Sequence, residues 1–268
     1  AVQATRAASD GTPDSLYFTS GFPVDLMLQL AKTSGTSNAI TVDRVRGNFF
    51  SRTSQSAADI ANEGYKLDTM EGVYADSSQS ANSNFSGLLF KRAPGFFDIV
   101  GYEGTGSART VSHNLGEVPE LIIVKSRGIV DHWQVYSSVT DETDFLMLNQ
   151  SDATSDQASK WNDTAPTSSV FTVNTDTGVN QSAEDYIAYL FATLPGISKV
   201  GSYTGTGSNI DVDCGFTAGA RFVLIKRTDS TGDWYVWDTA RGINAGDDPY
   251  VLFHTTGGEV NNPAQIEL

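Results

Sequence analysis

The sequence predicts an all-β protein made of tandem antiparallel β-sandwich repeats, jelly-roll-like and about 100 residues each, and three observations carry that reading. The chain matches itself: at a shift of 101 residues, 94–136 falls on 195–237 without a gap. Its apolar runs are strand-sized and bounded by clusters of Gly, Asn, Asp, Ser and Thr. Helical periodicity is nearly missing.

The repeat is dense in identities. Pro94/Pro195, Gly95/Gly196, Tyr102/Tyr203, the GTGS of 104–107 and 205–208, Val111/Val212, Lys125/Lys226, Trp133/Trp234 and Val135/Val236 coincide. A fainter copy lies upstream, where FSGLLFKRAPG (85–95) matches YIAYLFATLPG (186–196) at the same shift. There TVDRVRG (41–47) also resembles VWDTARG (236–242), sharing Asp-x-x-Arg-Gly. The organisation expected is a polar tail (1–14), a partial copy (15–94), a complete copy (95–195) and a partial copy (196–268). The first copy lacks the opening Tyr-x-Gly-Thr-Gly-Ser strand, and the last lacks the closing Tyr-Leu-Phe strand. A sandwich without an edge strand leaves backbone groups that another chain can pair.

Within the complete copy each strand has its own signal. Residues 97–102 and 109–112 alternate on either side of GTGS, whose glycines suit the positive φ of a tight hairpin. Residues 120–126 and 186–191 (LIIVK, YIAYLF) lack alternation, as strands buried on both faces do. Residues 132–136 (HWQVY), 145–149 (FLMLN) and 168–173 (SSVFTV) are short β runs set off by turn residues. Pro94 and Pro195 interrupt any ladder and mark the seams between copies as hinges, short seams and not flexible linkers, across which the copies are expected to touch. One or two helical turns are expected at 56–63, inside an inserted loop. Copies in tandem extend a rod through neighbour contacts alone.

Composition narrows the function. Among 268 residues, 32 are Asp or Glu and 17 Lys or Arg, a formal net charge of −15, which argues against nucleic acid or an anionic membrane as partner. No apolar run approaches the roughly 20 residues that span a bilayer, and the first residues lack the apolar core of a signal peptide. A single cysteine, Cys214, excludes an intrachain disulfide. It reads as a small buried apolar residue.

Candidate chemistry is sparse. A phosphate loop needs a strand before it and a helix after it, and both GTGS segments run into strand-like sequence. The histidines do not recur between copies, Gly-x-Ser-x-Gly is absent, and His113 reads as a turn cap. Asp211 and Asp213 lie two apart, so a strand would point both to one face toward a hard cation such as Ca²⁺. An acidic solubilising surface explains them as well, and no metal or cofactor is expected. The paired Asp43/Arg46 and Asp238/Arg241 read as turns closed by an aspartate. Recurrence places Trp133 and Trp234 in the core. Tyr235, Trp237 and Trp161 remain for ligand contact, where an aromatic face can stack on a sugar.

The run GFFDIVGYEGTGSARTVSHNLGEVPELIIVKSR (95–127), then Trp133-x-Val135-Tyr136, Leu146-Met147-Leu148-Asn149 and YIAYLFATLPG, resembles a repeated β-domain of unknown function found in structural proteins of tailed phages, many of them marine. His113, Leu115, Gly116 and Pro119 are its most distinctive positions, and the last copy has Cys214, Phe216, Thr217 and Ala220 there. The resemblance covers about residues 15–268. It implies a virion protein (tail fibre, tail component or head decoration) and no catalytic residue. Expected partners are copies of the chain itself, a trimer being favoured for a fibre, and other virion proteins. The alternative is a module that binds host surface glycan. A glycan depolymerase has least in its favour, because no carboxylate pair stands out.

Overall fold

Alternation along the strands decides which side chain enters which core, and the computed structural model shows the result for residues 2–6, 15–32, 39–61, 64–75, 85–242 and 248–261. The first unit comprises β1 (Val2–Arg6), β2 (Ser15–Thr19), β3 (Leu26–Ala31), β4 (Ile40–Asp43), β5 (Phe49–Arg52), β6 (Ile60–Ala61), β7 (Tyr65–Lys66), β8 (Gly72–Ala75) and β9 (Phe85–Phe90). The second comprises β10 (Phe97–Glu103), β11 (Arg109–Ser112), β12 (Leu121–Ser126), β13 (Gln134–Ser137), β14 (Asp144–Met147), β15 (Ser155–Asp156), α1 (Ala158–Trp161), β16 (Val170–Val173), α2 (Thr177–Asn180) and β17 (Asp185–Phe191). The third holds β18 (Phe222–Lys226), β19 (Trp234–Asp238) and β20 (Val251–Leu252). All seven strands expected within residues 95–195 form, and the fold is all-β with antiparallel sheets.

The first two units have the same connectivity. Their six-stranded sheets run β1-β9-β3-β4-β5-β6 and β10-β17-β12-β13-β14-β15, and each faces a small sheet, β2-β8-β7 or β11-β16. The third sheet, among the described residues, is β18-β19-β20. Successive side chains point to opposite faces. On β17, Tyr186, Ala188 and Leu190 enter the core beneath β11-β16, while Ile187, Tyr189 and Phe191 face the other way. The strand is buried on both sides, which is why its sequence does not alternate. β9 divides likewise, Leu89 going one way and Leu88 and Phe90 the other.

Those second faces meet. Leu26, Leu88 and Phe90 of the first sheet, Ile123, Trp133 and Tyr189 of the second, and Trp234, Val236 and Val251 of the third form one apolar cluster. Burying each such side chain contributes about 1.5–3 kcal/mol, so the units are held face to face and are not strung as separate modules. This corrects the rod expectation. The seams are tight turns: Phe97 N donates to Ala93 O and Ser198 N to Leu194 O, with Gly95 and Gly196 each at φ 74°.

The two ends of the chain differ. The first unit is complete, because part of the supposed polar tail, Val2–Arg6, pairs antiparallel with β9 where β10 pairs with β17. Its strand β2 likewise pairs with β8, as β11 does with β16. In the last unit β18 pairs with β19 alone among the described residues. The anticipated helix at 56–63 does not form at 56–61: residues 56–59 have no regular structure and 60–61 form β6, because Phe49 and Phe50 supply a pairing edge for Ile60 and Ala61; residues 62–63 lie outside the described set. GTGS of the second unit joins two strands that do not pair with each other, crossing from one sheet to the other. It is therefore not a hairpin turn. It docks on the C-terminal end of α2: Gly106 N donates to Asn180 O (2.8 Å), and a Cβ on Gly104 would lie 2.2 Å from Gln181 O.

Candidate functional site

The densest polar chemistry lies where the first and second sheets meet, and the Asp-x-x-Arg-Gly turn after β4 builds it. Asp43 Oδ1 accepts from the amides of Val45 (3.0 Å) and Arg46 (2.9 Å), which folds the turn, and Gly47 takes φ 65°. That geometry delivers the Arg46 guanidinium to Asp43 Oδ2 (2.5 Å) with both side chains fully buried. Arg46 also donates to Asp59 (2.9 Å) and to Tyr189 Oη on β17 (2.9 Å), and Tyr189 Oη donates back to Asp43 Oδ2 (2.7 Å). Asp59 then accepts from Arg127 Nε of the second unit (3.0 Å). Burial opposes the charge on Arg46, but Tyr189, Asp43 and Asp59 outweigh it and its pKa moves up. Burial also pushes the Tyr189 hydroxyl up. Both groups therefore hold their protons, and the array acts as a fixed clamp.

The third sheet repeats the device. Asp238 Oδ1 accepts from the amides of Ala240 (2.9 Å) and Arg241 (3.0 Å), and Arg241 donates to Ser86 Oγ on β9 (2.8 and 2.6 Å). A second contact type runs alongside. Trp133 Nε1 of the second sheet donates to Arg52 O (3.0 Å) and Gln55 O (3.2 Å) beyond β5 of the first. Trp234 Nε1 of the third donates to Met147 O (3.1 Å) and Gln150 O (3.0 Å) at the matching end of β14. Thr53 Oγ1 of the first sheet donates to Phe253 O of the third (2.6 Å), so the contacts pass around all three sheets. The core placement of Trp133 and Trp234 and the aspartate-closed turns thus match expectation.

A recess of about 240 Å³ opens beside the clamp, lined by Phe49, Asp59, Arg127, Gly128, Glu184 and Asp185. Three of its ionic groups are engaged: Arg127 with Asp59, and Glu184 with Ser126 Oγ (2.8 Å) and the Gly128 amide. Below it lies Lys125, fully buried on β12, its Nζ donating to Ser126 O (2.7 Å). Burial pushes its pKa down to about 8, against the pull of Asp59, Asp131 and Glu184. Sequence reasoning missed Asp59, Arg127 and Tyr189 because their partners lie on another unit. Lys125 did leave a signal, a lysine inside an apolar strand recurring as Lys226.

The aromatic residues singled out for ligand contact are not presented as a platform. Trp161 is 2% exposed, its ring edge-on to Tyr136 (6.1 Å, 77°) in the second unit's own core. Trp237 is 4% exposed, stacked under Tyr235 (5.6 Å, 18°) and against Tyr250 (5.8 Å). Only Tyr235 and Tyr250 are half-buried and reach the surface. The three rings pack on one another on a face that no small sheet covers among the described residues. Asp211 and Asp213 are exposed but lie on no strand, and Asp213 Oδ1 accepts from its own turn, at Gly215 N (2.7 Å). Among the described residues no group of three potential ligands gathers around a metal position. Cys214 is half-exposed, not buried, since the strand expected to carry it does not form. His113 does cap a turn: Leu115 N donates to its Nδ1 (3.3 Å) and its Nε2 donates to Thr167 O (3.1 Å). Burial lowers its pKa, with Thr167 and Asp98 opposing.

Comparison with known proteins gives one match. Residues 75–266 match a family described as "Domain of unknown function (DUF7483)". No curated protein and no solved structure matches the chain.

Proposed function

The chain belongs to the family of domains of unknown function DUF7483, and we propose that it is a non-enzymatic structural protein of a tailed-phage virion, displayed at the particle surface. The use the molecule makes of its polar side chains carries the reading. Asp43, Arg46, Asp59, Arg127 and Tyr189 are bonded to one another between two sheets, and Trp133 and Trp234 direct their indole N–H groups into neighbouring sheets. A catalytic site keeps such groups aimed at a cleft. Here they lock sheets together, which suits a protein whose work is to hold shape under load. The acidic, Ser/Thr-rich surface and the resemblance of residues 95–196 to phage structural domains support the particle assignment. Partners on this reading are copies of the chain and other virion proteins, as a fibre, tail component or head decoration.

Mass spectrometry and immunogold labelling of purified particles from the host that makes the chain test the proposal. A fixed copy number per particle, with label at the surface, is the expected result. Chain found free in the lysate, with none on particles and only monomer by light scattering, overturns it. Glycan contact is the second reading, favoured by the half-exposed Tyr235 and Tyr250 rings. Binding on a glycan array, lost in Tyr235→Ala, would select it.

A further inference from the structure

Each of the two tryptophan anchors is held by a polar side chain at its own amide. Leu148 N donates to Trp133 O (3.0 Å) and Phe253 N to Trp234 O (2.9 Å), so the residues that follow, Asn149 and His254, occupy matching places. Both turn back to the same tryptophan. Trp133 N donates to Asn149 Oδ1 (3.1 Å), and Trp234 N donates to His254 Nδ1 (3.5 Å). The residues before the tryptophans match as well. Asn149 Nδ2 donates to His132 Nδ1 (3.0 Å), and His254 Nε2 donates to Asp233 Oδ1 (3.2 Å).

The chemistry of the two places differs. An amide oxygen accepts at any ordinary pH, whereas an imidazole nitrogen accepts only while it carries no proton. In His254 the proton sits on Nε2, facing Asp233, which leaves the Nδ1 lone pair to the Trp234 amide. A second proton has to enter at Nδ1, where it meets an N–H donor. The ring cannot then keep both contacts. Protonation of His132 has no such effect on Trp133, because it takes a partner from Asn149 Nδ2 and leaves Oδ1 in place.

The bond at stake lies where the three sheets join. Trp234 Nε1 reaches Met147 O and Gln150 O of the second sheet, and Phe253 O, beside His254, takes the Thr53 hydroxyl of the first. The His254 side chain is only 10% exposed there. Two charged groups face it. Asp233, which also accepts from Tyr235 Oη (3.4 Å), favours the imidazolium. Lys226 on β18, whose Nζ donates to Ser151 O (3.2 Å) and Arg227 O (2.6 Å), disfavours it, and Asp152 and Arg227 act on that lysine in turn. Burial and Lys226 outweigh Asp233, so the His254 pKa lies below its ordinary 6.5. The folded chain therefore binds fewer protons here than the unfolded one, and acid weakens the contact.

We propose that His254 is an acid-sensitive latch: a proton on Nδ1 releases the Trp234 amide and loosens the third sheet's hold on the other two, while the Trp133 anchor stays shut. The device goes beyond the particle assignment and stands or falls separately from it.

Amide exchange of the whole chain, followed residue by residue by NMR from about pH 7.5 to about pH 4.5, is the test. After correction for the intrinsic pH dependence of exchange, protection of the Trp234 amide should fall about tenfold or more while that of Trp133 stays level. The His254 ring resonances should titrate with the same midpoint. His254→Asn installs the acceptor used beside Trp133, and should keep the protection seen at neutral pH while removing its pH dependence. The His254 titration is read in the natural chain, so the test does not depend on how the variant folds. An equal fall at Trp133, unchanged protection of Trp234, or a His254 midpoint apart from the loss of protection would each overturn the proposal. So would an asparagine variant that loses protection in acid as the natural chain does.

Discussion

At the residue scale, two buried cations behave differently because their surroundings differ. Arg46 has carboxylates in contact and keeps its charge, whereas Lys125 has only Ser126 O within hydrogen-bond reach and carboxylates further off. Burial pushes Lys125 down to about 8 from 10.5 in the unfolded chain. Between those values the unfolded chain binds more protons, so this site's contribution to stability rises with pH across that window. Below it both states are protonated and the folded chain carries the full cost of the buried charge. Lys125→Met should therefore stabilise the protein at pH 7 by about 1–3 kcal/mol, with the advantage shrinking from pH 8 to 10.5. Urea unfolding of both proteins at pH 7 and pH 10 checks this; an advantage that stays constant or grows contradicts it. The lysine was legible in the sequence as an anomaly in an apolar strand. Its depth was not, because that depends on β17 lying across β12.

At the element scale, the Asp-x-x-Arg-Gly turn is a local motif used for a distant purpose. Its closure needs only Asp43 and two amides within three residues, which is why the sequence revealed the turn. Its partner Tyr189 is 143 residues away and carries no matching pattern. Removing the arginine leaves Asp43 charged in a dry interior. Arg46→Met should cost about 3–5 kcal/mol by denaturant midpoint, and adding Asp43→Asn should recover part of that loss. Equal stability of the single and double variants would show that the pair does not act as a unit. Trp161 and Trp237 were misplaced at this same scale. A strand's two faces can be read from alternation, but which face a second sheet covers cannot.

At the scale of the whole molecule, one apolar cluster joins three sheets, and it changes what unfolding should look like. Separate modules would melt separately, whereas sheets sharing Leu88, Phe90, Trp133, Tyr189, Trp234 and Val236 lose their inner faces together. Calorimetry should show one transition whose calorimetric and van't Hoff enthalpies agree, with tryptophan fluorescence and far-UV dichroism following the same curve. Two resolved transitions would restore the picture of independent units. The sequence by itself determined the strands, their approximate copying along the chain, the turns that close on an aspartate and the core role of Trp133 and Trp234. Each of these is written in residues close together or in one segment laid over another. The tertiary structure alone decided that Val2–Arg6 pairs onto the first sheet, that the inner faces share a core, and that GTGS of the second unit crosses between sheets. Those outcomes depend on which faces meet, and burial between strands distant in the chain leaves no local period to read.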